Sequence, residues 1–154
     1  IKVVMNGTEE EVWDFVETAR KEFRTLPVEE IASPRGCNNL AQYSDPTHIY
    51  GKGTPIHVRG ALLYNHLLKK KNVHKRYENV KNSDKIHFTY LTVPNPINEN
   101  VISFINVLPR EFELTNYIDY DMQFDKSFIE PLKNIITLIG WNVEPVASLD
   151  SFFG

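Results

Sequence analysis

The sequence predicts an α+β fold, mainly helical, with a small antiparallel β-subdomain and a flexible C-terminal tail. Three observations predict it. Apolar residues recur at helical spacing from Val12 to Phe23 and again from Phe124 to Ile139, which makes two amphipathic helices. Between them, Lys85 to Val93 alternates Ile86, Phe88 and Tyr90 with His87, Thr89 and Leu91, the period of two that a strand shows. Beyond Pro145 there is no core period, so the domain is expected to span 1–145 and the tail 146–154.

Gly7-Thr8-Glu9-Glu10-Glu11 starts the first helix. Thr8 can cap it, Glu11 three residues later closes a capping box, and the acidic cluster suits the positive end of the helix dipole. Val12, Phe15, Val16, Ala19 and Phe23 then form one stripe on a helix of about 16 residues, followed by Pro27. Val28 to Ala32 reads as a short strand. Residues 33–55, rich in Ser, Pro, Gly, Asn and Asp, read as a long irregular loop, and loops of that length in compact domains tend to be functional. Thr54-Pro55 reads as an N-cap with proline at the first helical position, opening a helix over 56–71. The strand over 85–93 ends at Pro94-Asn95-Pro96, and Val101 to Phe104 is a second short strand. Past Pro109 the chain reads as helical, with a turn near Asp119-Tyr120-Asp121. In the last helix Phe124, Phe128, Leu132, Ile135, Ile136 and Ile139 mark the core face, Pro131 should kink it, and Gly140 ends it.

Composition narrows the function. With 42% hydrophobic and 12% aromatic residues the chain is neither disordered nor membrane-like. No apolar run approaches the roughly 18 residues a membrane span needs, and the first residues form no secretion signal, so a soluble, unsecreted protein is expected. Cys37 is the single cysteine, which leaves no intramolecular disulfide or cysteine-based zinc site and fits a reducing compartment. The opening Ile-Lys-Val-Val-Met starts without methionine and with a strand-like run under way, so we expect a piece of a longer polypeptide, unless processing removed a start. The net charge of -3 hides an asymmetry: residues 52–85 carry 9 Lys+Arg against 2 Asp+Glu, between flanks that are both acidic. Such a stripe can attract a polyanion, since screening makes nearby charge count most, or it can simply be a solvated loop.

No catalytic constellation stands up. Asp119-x-Asp121 has the look of a paired-carboxylate metal site, but no third carboxylate supports it and both residues sit where a helix needs capping. The histidines, His48, His57, His66, His74 and His87, have no metal-ligand spacing, and no glycine-rich phosphate loop occurs. Catalytic and metal-ligating residues are therefore expected to be absent. What remains is a binding surface. Gly51-Lys52-Gly53-Thr54 leads into a helix whose first turn carries His57 and Arg59, so backbone N–H groups, the helix dipole and two side chains could converge on one anion. Arg35, Asn38 and Asn39 on the preceding loop could reach phosphates or minor-groove edges. Equally, Asn38-Asn39 could cap a short turn while His57 and Arg59 pair with acidic neighbours.

Six segments carry a family resemblance. Lys21-Glu22-Phe23-Arg24, Ile31-Ala32-Ser33, Asn38 to Tyr43 and His57 to Asn65 resemble, in order and spacing, the thumb of the replicative family B DNA polymerases of T-even-like tailed phages. Asp125 to Leu132 and Ser148 to Gly154 resemble the last helix and extreme C-terminus of the same enzymes. The resemblance is specific over roughly 20–68 and 117–154 and weak over 69–116, where family members vary in length. It implies a thumb-like domain that is non-catalytic by itself, within a DNA-directed DNA polymerase whose metal-binding aspartates, with Mg2+, lie in the palm. No cofactor is expected in this chain.

The resemblance further implies that primer-template duplex DNA is held through Ser33, Arg35, Asn38, Asn39, Lys52, His57, Arg59 and Lys126. Family members often carry a basic residue where this chain has Glu130. The palm and fingers of the parent polymerase and the sliding clamp are the other implied partners, with no membrane, in the cytoplasm of an infected bacterial host. Leu149, Phe152 and Phe153 stand on one face of a single helical turn and resemble the hydrophobic half of a clamp-binding box, although Val146 stands where the eukaryotic version usually has glutamine. The alternatives are a tail that folds back onto the domain, a free-standing clamp-binding or scaffold protein, and a small metal-dependent nuclease using Asp119 and Asp121.

Overall fold

Thr8 caps the first helix, its hydroxyl accepting from the Glu11 N–H at 3.3 Å. In the computed structural model, which describes residues 7–143, that helix is α1, Glu9–Phe23. The chain divides into two compact units: 7–26 with 124–143 among the described residues, and 27–123.

The first unit is built on α1. Val12 and Val16 are buried with Phe124 and Ile136, and Ala19, Phe23, Phe128, Leu132 and Trp141 pack around them. The Phe23 and Phe124 rings meet edge to face at 5.2 Å, and Phe124 stacks on Phe128 at 4.8 Å. The Trp13 indole N–H donates to the Asn142 carbonyl at 2.8 Å, and the Asn142 N–H donates to Glu9 at 3.0 Å, which ties 141–143 to the start of α1.

The expected last helix is interrupted. A π-helical turn, Asp125–Ile129, precedes the helix Glu130–Ile136 and a 3-10 turn Thr137–Ile139. Pro131 has no N–H to give, and the Glu130 N–H reaches back five residues to the Asp125 carbonyl. The wider turn shifts the later side chains by one position. Phe124, Phe128, Leu132 and Ile136 therefore keep the core face, whereas Ile135 and Ile139, expected on it, are 47% and 52% exposed.

The second unit holds the sheet. Strands β1 (Ser33–Cys37), β4 (Asp84–Tyr90) and β5 (Val101–Phe104) form an antiparallel sheet in the order β1-β4-β5. Ser33 pairs with Phe88 and Cys37 with Asp84, while His87 pairs with Phe104. A second, two-stranded sheet joins β2 (Ser44–Asp45) to β3 (Ile49–Tyr50). Helix α4 (Ile56–Lys70) packs on the main sheet with Val58, Ala61, Leu63, Tyr64 and Leu68 buried, against a core that includes Ile86, Ile102 and Phe104.

Gly60 makes that packing possible. A Cβ there would lie 2.4 Å from the Ser103 hydroxyl and 2.8 Å from its backbone nitrogen. The helix therefore approaches β5 at backbone distance, and Ser103 Oγ donates to the His57 carbonyl at 2.9 Å. Buried Gln123 fastens the other edge: its amide donates to the Ile31 carbonyl and to Ser33 Oγ, while its oxygen accepts from the Tyr90 N–H.

Two local expectations are corrected. Val28–Ile31 is a short helix, α2, because Pro27 supplies a natural entry and Glu29 and Glu30 favour a helix N-terminus. The segment 33–55 is not irregular throughout: β1, a short helix α3 (Leu40–Tyr43) and the β2–β3 hairpin occupy much of it. Pro34 and Gly36 argue against a central strand, yet β1 lies at a sheet edge, where proline is tolerated.

Candidate nucleic-acid interface

The entry to α4 is formed by the turn after β3. Gly51 donates its N–H to the Tyr43 carbonyl at 2.7 Å, and Gly53 takes the left-handed conformation at φ 80°. The N-cap is Pro55 rather than Thr54, whose hydroxyl instead donates to the Gly51 carbonyl at 2.6 Å. No side chain caps the helix, so its first N–H groups retain their capacity to meet an anion.

Two clusters flank this entry. In the first, the Arg35 guanidinium lies 5.3 Å from the centre of the Phe88 ring, and the His57 ring lies 6.5 Å from the same ring. Burial and the neighbouring Arg35 charge hold the His57 imidazole below its ordinary pKa, against a hydrogen bond to the Gly36 backbone. At neutral pH His57 thus offers a hydrogen bond rather than a charge. In the second cluster, half-buried Arg59 donates from Nη2 to Asn100 Oδ1 at 2.6 Å and sits 5.7 Å from the centre of the Tyr50 ring. Its Nε is buried without a hydrogen-bond partner.

The remaining expected contact residues are distributed unevenly. Lys52, Asn38 and Asn39 are exposed. Asn39, at φ 60°, stands at the N-cap of α3 without a side-chain cap bond, so the turn-forming reading of Asn38-Asn39 holds for its backbone. Ser33 is engaged structurally, accepting from Gln123 at 2.9 Å. Lys126 belongs to the other compact unit, where its ammonium lies 3.0 Å from Glu130. Leu149, Phe152 and Phe153 lie outside the described residues. In the basic stretch, Lys69, Lys70, Lys71 and Lys75 are exposed, whereas Arg76 pairs with Glu111 at 3.1 Å, which also accepts from the Tyr77 hydroxyl.

Sequence reasoning missed Tyr50, Glu99, Asn100 and Ser103, the residues that hold the first turn of α4. One signal was present for Ser103: a glycine inside an apolar helix, the mark of a close backbone approach. Asp119 behaves as a cap, its carboxylate accepting from the Met122 N–H at 3.0 Å. Among the described residues, no three His, Cys, Asp or Glu side chains converge on a metal position. A groove of about 580 Å³ beside α4 is lined by residues including Leu40, Ile49, Leu62, His66 and Lys69, without Phe, Tyr or Trp.

No family model matches the chain. Two curated proteins do. The DNA-directed DNA polymerase of Enterobacteria phage T4 is 29% identical over 158 residues, covering 100% of this chain and 17% of that protein. The DNA-directed DNA polymerase of Escherichia phage RB69 is 31% identical over 139 residues, covering 85% of this chain and 14% of that protein. The chain thus spans about a sixth of the length of the curated relatives it matches. The resemblance read from the residues is shown at this level: the chain is similar along its length to a segment of phage DNA-directed DNA polymerases.

Proposed function

We propose that this chain is the thumb of a phage-type replicative DNA-directed DNA polymerase, non-catalytic by itself, which holds the primer-template duplex while the palm and fingers of the same enzyme do the chemistry with Mg2+. The similarity of the chain to part of two phage polymerases, over its whole length in one and 85% of it in the other, carries the reading. The uncapped entry of α4, with Arg59, Arg35 and neutral His57 beside it, supplies a physical means: backbone N–H groups and guanidinium groups meet phosphates without reading sequence. Exposed Lys52, Asn38 and Asn39 extend that surface. Lys69, Lys70, Lys71 and Lys75 add a diffuse field that speeds encounter. The C-terminal residues Leu149, Phe152 and Phe153 dock on the sliding clamp, and the protein works in the cytoplasm of the infected bacterium.

The test is Arg59→Ala in the full natural polypeptide that contains this sequence. Duplex affinity should fall by a similar factor on every sequence, and the salt dependence should flatten by about one phosphate contact. A loss confined to particular sequences, or no loss, contradicts the grip. Deleting 148–154 should separately leave short-primer extension intact and abolish clamp-stimulated synthesis.

A further inference from the structure

Arg59 is held by two neighbours that do not cancel its charge. Asn100 Oδ1 accepts from Nη2 at 2.6 Å, and a carboxamide oxygen orients a guanidinium without neutralising it. The residue before Asn100 is the acidic Glu99, and its carboxylate is taken by Tyr50, whose hydroxyl donates at 2.9 Å to one oxygen and lies 3.1 Å from the other. Tyr50 also presents its ring to the guanidinium, 5.7 Å away. Burial first and Glu99 second raise the Tyr50 pKa, with Arg59 opposing, so the phenol remains a protonated donor through neutral pH.

The loop behind this arrangement is itself fixed. Buried Asn95 donates to the Thr92 and Glu99 carbonyls at 2.8 and 2.6 Å and accepts from the Ile97 N–H at 3.0 Å. The buried Nε of Arg59, without a partner, is a donor on a charged group that lacks compensation in the free chain.

We infer that Tyr50 and Asn100 are positioning residues for Arg59: Asn100 aims the guanidinium with a neutral acceptor, and the Tyr50 hydroxyl occupies the Glu99 carboxylate so that Arg59 keeps its full charge for a phosphate. This rests on the reading of Arg59 as a duplex contact. Neither residue touches DNA in this account. Their effect is carried by the arginine.

Four variants of the full natural polypeptide test it by duplex affinity as a function of salt, with Arg59→Ala as reference. Asn100→Asp keeps the acceptor and adds a charge, so affinity should fall on the order of tenfold and the salt slope should drop as it does in Arg59→Ala. Tyr50→Phe frees Glu99 and should weaken binding severalfold. Tyr50→Phe with Glu99→Gln should recover most of that loss, and Glu99→Gln alone should bind at least as well as the unchanged protein. A merely structural role for Tyr50 predicts no rescue by Glu99→Gln and no change in slope. If Arg59→Ala weakens binding while Asn100→Asp leaves affinity and slope unchanged, or Tyr50→Phe is not rescued, the positioning inference is overturned and the grip stands. If Arg59→Ala itself has no effect, both fall.

Discussion

At the first turn of α4, Arg59 is half-buried, bonded to Asn100 at 2.6 Å and set against the Tyr50 ring, while at the last turn Lys69 and Lys70 stand exposed and Lys71 and Lys75 follow them into the loop. Both ends of one helix carry positive charge. Their surroundings differ in what each can do with it. A fixed, partly desolvated guanidinium has already lost much of its rotamer freedom, so a phosphate that meets it gains a directed, charge-assisted bond. Solvated lysines interact through a field that salt screens over about 8–10 Å, and they also complement the negative end of the helix dipole. The comparison teaches that charge count, which points to the lysine run, does not locate the positive group that the fold holds in place, and on the proposed function that group is the one to grip a phosphate.

The largest expected effect comes from breaking the contact that sets the first turn. Gly60→Ala forces a methyl against Ser103 at backbone distance, and overpacking of this kind costs on the order of 1–3 kcal/mol. Chemical denaturation of the purified protein should show the loss, and duplex binding should weaken with it because α4 must shift from β5. Next comes Tyr64, whose buried phenol donates to the Glu78 carbonyl at 3.1 Å and whose pKa burial pushes up to about 12. The folded state keeps this proton after the unfolded chain has released it. Stability should therefore fall between pH 10 and about 12 and be less sensitive there in Tyr64→Phe, which gives up the single hydrogen bond at about 1 kcal/mol.

His57 gives a smaller effect on the acid side. Its pKa is depressed in the fold, so the unfolded chain binds the proton first. Its contribution is complete above the ordinary histidine range and fades as pH falls through it, and a melting series on His57→Gln should have a shallower acid slope than the unchanged protein. The smallest effect belongs to the lysines. Single Lys→Ala changes at 69, 70, 71 or 75 should alter stability within about 0.5 kcal/mol, because these side chains are solvated.

The parts of the fold legible in the sequence are those where one local signal dominates. The Thr8 cap and the stripe that follows place α1, and the apolar run from Val101 to Phe104 places β5 within its observed bounds. The strand β1 was hidden because Pro34 and Gly36 count against any strand until pairing with β4 puts them at an edge. The π turn at Asp125–Ile129 was hidden for a related reason: Pro131 announces a missing hydrogen bond but not how the chain absorbs it. At the site, Arg35, His57 and Arg59 were legible from charge and helix position. Tyr50, Glu99 and Asn100 were not, since only tertiary pairing brings together residues 49 positions apart, as in Tyr50–Glu99, or 41 apart, as in Arg59–Asn100.

The most direct test compares the two ends of α4 in one assay: duplex association and dissociation rates for Arg59→Ala and for the combined Lys69, Lys70, Lys71 and Lys75 to Ala variant of the full natural polypeptide, at low and physiological salt. Arg59→Ala should speed dissociation at both salts and leave association nearly unchanged, while the four-lysine variant should slow association at low salt and leave dissociation nearly unchanged. The reverse assignment, with dissociation governed by the lysines and Arg59→Ala silent, would contradict the claim that the first turn of α4 provides the grip.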